Sequence, residues 1–113
     1  MPPAPVLREI VRQHAEMAAF LWTVYDYHLL HPEENPDMDE VRLARLVERL
    51  EAHLDGLRVA GEAGREIAQA LYNEYPEPGE LFVLRMICEG AEGLRVANLD
   101  LPKVRAYLTA RLR

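Results

Sequence analysis

From Asp39 to about Arg58 the apolar residues Leu43, Leu46, Val47, Leu50, Leu54 and Leu57 recur at spacings of three and four, while Arg45, Glu48, Arg49, Ala52 and Asp55 fill the opposite arc. At 3.6 residues per turn this pattern predicts a helix with one face on a core and the other in solvent. Asp37 and Asp39 stand at its start, where carboxylates cap the first turn and complement the helix dipole. The preceding segment, from about Val6 or His14 to Leu30, has a different pattern. His14, Met17, Ala18, Leu21, Tyr25 and Leu29 make one stripe, Phe20, Val24 and Tyr27 make a second beside it, and Trp22 flanks them. Only a wedge with Arg12, Glu16, Thr23 and Asp26 is polar. A helix apolar on two sides lies between layers of its own fold or keeps one face for a partner. Leu81-Phe82-Val83-Leu84-Arg85-Met86-Ile87-Cys88 is nearly all apolar and predicts the most buried helix. At the far end Asp100 is a candidate N-cap, Pro102 falls in a first turn where its missing N–H is harmless, and Arg111 and Arg113 suit a helix C-terminus. Clusters of proline and glycine separate these segments, and no run alternates apolar and polar residues over a strand length. The expected fold class is all-α.

A self-similarity sharpens the organisation. Gly56-Leu57-Arg58-Val59-Ala60 recurs unchanged as Gly93-Leu94-Arg95-Val96-Ala97, an offset of 37 residues. The same offset carries Leu46 onto Val83, Val47 onto Leu84, Leu50 onto Ile87, Leu54 onto Ala91, Ile67 onto Val104, Leu71 onto Leu108 and Tyr75 onto Leu112. Each unit reads as a helix, a glycine-containing bend and a second helix. The period lies between the tetratricopeptide unit of about 34 residues, whose aromatic-glycine signature is missing, and the HEAT and armadillo units of about 40 to 47. The expected architecture over residues 1–113 is one domain: an N-terminal helix at 6–30, a HEAT-like helical hairpin at 41–76 and a second at 78–112. These form a short α-solenoid with the first helix as a cap, or a compact helical bundle in which the pentapeptide recurs by chance.

Composition narrows the function. The 113 residues carry 13 basic and 19 acidic side chains, a net charge of −6, which repels a phosphate backbone and offers no footprint for nucleic acid or anionic lipid. Residues 95–113 hold Arg95, Lys103, Arg105, Arg111 and Arg113 against Asp100, so a surplus of four positive charges sits beside ten negative on residues 1–94. That asymmetry favours a basic protein partner, or head-to-tail packing into a homo-oligomer. The single cysteine, Cys88, has no internal partner and fits a reducing compartment. With no basic leader and no long apolar stretch, a cytoplasmic protein that does not engage a membrane is expected.

Ala15-Glu16-Met17-Ala18-Ala19-Phe20-Leu21-Trp22, taken with Val47-Glu48-Arg49-Leu50-Glu51-Ala52-His53-Leu54-Asp55-Gly56-Leu57-Arg58-Val59-Ala60-Gly61, resembles the N-terminal part of a bacterial family of HEAT-repeat proteins of unknown biochemical activity. Their genes often lie among type VI secretion components and effectors. The likeness covers residues 14–75, and beyond Pro76 it is to generic HEAT-type helices. Members generally carry several more repeats than the two found here. The resemblance implies a scaffold associated with secretion or toxin clusters and brings no catalytic residue with it.

Candidate chemistry is sparse. His28 and His31 are three apart near Glu33 and Glu34, a spacing that would bring two imidazoles to one metal, but it is also that of a polar helix end, and no metal or cofactor is expected. His53, at the edge of the leucine stripe, reads as a packed residue bonded to backbone or carboxylate. No nucleophile elbow, catalytic cysteine motif or phosphate-binding glycine loop is present. The expected function is a non-enzymatic protein–protein interaction module. Its partner contacts are expected at Phe20, Trp22, Tyr25 and Tyr27, rimmed by Glu33, Glu34 and Asp37, because aromatic residues dominate interface hot spots. The resemblance implies an adaptor whose partner is a secreted effector, a toxin or a secretion component. The alternatives are an immunity protein that neutralises a basic, nuclease-like toxin and, from another class, a small metal-dependent enzyme.

Overall fold

A computed structural model describes residues 7–112. The proline-rich start, the expected helix origin at Val6 and the terminal Arg113 lie outside the described residues. The chain is all-helical: α1 (Arg8–Leu30), α2 (Glu40–Val59), α3 (Glu62–Glu74), α4 (Pro78–Cys88) and α5 (Leu101–Arg111), with a 3-10 turn at Val96–Asn98 before α5. There is no strand among the described residues. The caps follow the sequence. The Asp39 carboxylate accepts from the Arg42 N–H at 3.0 Å, and that of Asp100 accepts from the Lys103 N–H at 3.3 Å.

The elements pack as a compact bundle in which α1 is central. It lies against α2, α3 and α4, rather than covering the first hairpin alone as an end cap would. Its buried side is built from Val11, Ala15, Ala18, Ala19, Leu21 and Trp22. The alanines let neighbouring helices come close, and at the α1–α4 crossing Gly79 is required: a Cβ there would sit 2.6 Å from the Ala19 carbonyl oxygen. One turn further along, the Trp22 ring stacks on Phe82 with centroids 4.0 Å apart and planes 5° from parallel. Leu81, Phe82, Val83, Leu84, Met86 and Ile87 are all buried, as the apolar run predicts. On α2 the inward positions are Leu46, Leu50, Leu54 and Leu57, with Leu43 and Val47 half-buried.

The two helical pairs differ. Between α2 and α3 the chain turns at Ala60-Gly61, whereas α4 ends at Cys88 and α5 begins only at Leu101. The second Gly-Leu-Arg-Val-Ala therefore lies in the connection between helices, whereas the first closes α2. Burial still follows the offset on both sides of it: Leu50 and Ile87, Leu54 and Ala91, Ile67 and Val104, and Leu71 and Leu108 are all buried.

Ion pairs tie the second half down. Arg58 Nη1 donates to Glu51 Oε2 at 2.5 Å and to Asp55 Oδ1 at 2.7 Å, and Arg95 Nη1 reaches the same Asp55 oxygen at 3.0 Å. The Val96 N–H donates to Glu51 Oε1 at 2.7 Å. Arg105 Nε donates to Asp26 at 2.6 Å, joining α5 to α1, and Arg111 Nη1 donates to Glu89 at 2.6 Å beyond the end of α4. The Arg85 guanidinium lies 3.9 Å from the centre of the Tyr107 ring. The positive surplus of the C-terminal segment is thus engaged largely by the acidic body of the same chain.

Candidate functional site

α1 fixes where each expected partner-contact residue points. Trp22 is 1% exposed and stacked on Phe82, which corrects its place among the contacts: it is a core residue, facing the side on which α4 crosses α1. Tyr25 is half-buried, its ring 6.1 Å from that of Trp22 and tilted at 57°. Phe20 and Tyr27 are 59% and 47% exposed. Seven residues apart, they stand almost in line along the outer side of the helix, with half-buried Val24 between them. This is the second apolar stripe, and it is continued by Leu30, which the sequence pattern had not included and which is also exposed.

The stripe leads into the turn at residues 31–39, where Glu33, Glu34 and Asp37 are exposed. Tyr27 joins the two. Its hydroxyl donates to the Glu34 carboxylate, which holds the phenol pKa above its ordinary value, and its ring stacks on His31 with centroids 4.4 Å apart. His31 Nδ1 lies 3.1 Å from the Tyr27 carbonyl oxygen. The result is a surface of exposed aromatic rings with an acidic end, held to the helix by the tyrosine itself. Among the described residues, no three His, Cys, Asp or Glu side chains gather where one ion would hold them, and no helix is long and apolar enough to cross a membrane.

A second constellation lies at the other end of α1. His53 is bonded neither to backbone nor to a carboxylate, as its position in the stripe had suggested, but to another histidine: its Nδ1 is 3.0 Å from Nδ1 of His14 on α1. Burial, then the charge of His14, then that of Arg49 lower the His53 pKa. Gly56 leaves the space into which the His14 ring fits, since a Cβ there would lie 2.6 Å from the ring's Cδ2. Beside the pair is an open groove of about 490 Å³ lined mainly by Leu7, Ile10, Val11, Val59 and Ala60. Nothing in the periodicity of either helix announces this pairing, because each histidine belongs to its own helix and only the α1–α2 register joins them.

Comparison with models of known protein families, with curated proteins and with solved structures finds no match for this chain.

Proposed function

We propose that the chain is a non-enzymatic protein-binding module that docks its partner on the outer side of α1. The observation that carries this reading is the exposure of Phe20 and Tyr27 on a helix whose other sides are occupied by α2, α3 and α4. Aromatic side chains bury large areas at low entropic cost and are enriched among interface hot spots. Glu33, Glu34 and Asp37 add an acidic rim, which favours a partner with a basic flank and speeds its approach. The resemblance of residues 14–75 to HEAT-repeat proteins encoded with type VI secretion components supports a bacterial cytoplasmic adaptor for an effector or secretion component. The acidic turn also favours a second reading, an immunity protein that covers the cationic cleft of a toxin.

The test is a pull-down from the native host with the full chain, followed by affinity measurement on the recovered partner with a Phe20→Ala/Tyr27→Ala variant. Binding weaker by about 10- to 100-fold, as expected for loss of hot-spot residues, supports the docking face, and unchanged affinity overturns it. Co-expression with the partner separates the two roles: protection from toxicity marks an immunity protein, and improved folding or secretion of the partner marks an adaptor.

A further inference from the structure

The His14–His53 contact has a geometry that defines its chemistry. The Nδ1 atoms are 3.0 Å apart while the ring centroids are 5.2 Å apart, close to the widest separation such a contact allows, so the two nitrogens point at each other along the line joining the rings. Two ligands of one metal ion would instead aim their lone pairs at a point off that line and draw the rings closer. Head-on approach suits an N–H···N hydrogen bond, in which one Nδ1 carries the hydrogen and the other offers its lone pair. The contact joins the N-terminal half of α1 to the C-terminal half of α2, and on its far side the His14 ring rests against Gly56 at the wall of the apolar groove.

We propose that this pair is a proton-operated latch between α1 and α2. With both rings neutral, one has Nδ1–H and the other Nε2–H, and the bond is made. One added proton goes to the free Nε2 of the donor ring and leaves the N–H···N contact intact. A second has only the accepting Nδ1 to occupy, which sets N–H against N–H and two cationic rings against each other. The charged groups around the pair favour this opening. Arg49 of α2 adds a positive charge, and Asp55, which shares the groove wall with His14, is held by Arg58 and Arg95. On opening, the first turns of α1 lift from α2 and the groove between Ile10 and Val59 widens. A histidine whose folded pKa is lowered contributes stability that is full above its unfolded value, about 6.5, and is lost as pH falls through that value toward the folded one. The latch is therefore closed at neutral pH and loses its hold as pH falls below that unfolded value. It does not depend on what α1 binds.

Ring-nitrogen NMR of the full chain across pH 7.5 to 4.5 tests it. At neutral pH one Nδ1 of the pair is expected protonated and the other unprotonated. The pair should titrate in two steps at least about tenfold apart in proton affinity, and with the second step the amide signals of Ile10, Gly56 and Val59 should move while those of Phe82 and Leu84 stay. His53→Phe and His14→Gln, made separately, should each leave a single-step titration and groove amides that ignore acid. Independent titration of the two rings, groove amides unmoved by the second proton, or all amides moving together would overturn the latch.

Discussion

Gly56–Ala60 and Gly93–Ala97 are the same five residues in two conformations, and their burial is inverted. In the first copy Leu57 is fully buried and Val59 is 88% exposed, and in the second Val96 is 3% exposed while Leu94 is 47% exposed. The first copy continues α2, so Leu57 falls on the inward stripe and Val59, about 200° further round, falls outside it. The second follows Gly90, whose φ of 104° ends any helical continuation, and reaches the bundle as a turn leading into a short 3-10 segment. The pentapeptide has no conformation of its own, and context decides. The two copies nevertheless meet: Arg58 and Arg95 converge on Glu51 and Asp55, and Arg58 Nη2 donates to the Leu94 carbonyl at 3.2 Å. A repeat in sequence has become a contact in space.

Substitutions matched between the copies test the inversion. Leu57→Ala should lose about 2–5 kcal/mol of unfolding free energy and Leu94→Ala under about 1 kcal/mol, measured by chemical denaturation; equal losses would break the comparison. Val96→Ala should cost about 1–2 kcal/mol through lost burial, whereas Val59→Ala should be neutral or slightly stabilising, because alanine is the better helix former. Glu51→Gln, which weakens the ion pairs but keeps an oxygen for the Val96 N–H, should cost about 1 kcal/mol and speed hydrogen exchange at Val96 more than at Leu57. The smallest effect is in acid. The Asp55 pKa is lowered, first by its hydrogen bond from Arg58 and then by Arg95, so its contribution is present above the unfolded value near 3.9 and fades as pH falls through the folded one. Signals around Arg95 should therefore shift below about pH 4 before those of Leu57, and the reverse order would count against the shared-carboxylate arrangement.

Periodicity made the helices and most of the core legible. The leucines of α2, the apolar run of α4 and the caps at Asp39 and Asp100 all appear where the pattern puts them. The buried side of α1 was only partly legible, because Ala15 and Ala19 bury little area and give a weak apolar signal, yet their smallness is what lets α4 approach. For the same reason Trp22, which flanks the stripes when α1 is taken alone, turns out to be the centre of the α1–α4 contact. Of the candidate site, the outer stripe of Phe20, Val24 and Tyr27 could be seen in the spacing. The Tyr27–Glu34 bond and the His14–His53 pair could not, since each depends on a loop path or an interhelical register that no single segment encodes.

The central position of α1 also governs the order of assembly. It leaves the ribosome before α2, α3 and α4, but the ring that covers Trp22 belongs to Phe82, far downstream, and the carbonyl that receives Gly79 is its own. Until α4 has been synthesised, a strip of alanines and a tryptophan stays uncovered on the nascent chain, the kind of surface on which chaperones act. The bundle therefore closes late and through contacts distant in sequence, and it should fold more slowly than its all-helical content alone would indicate.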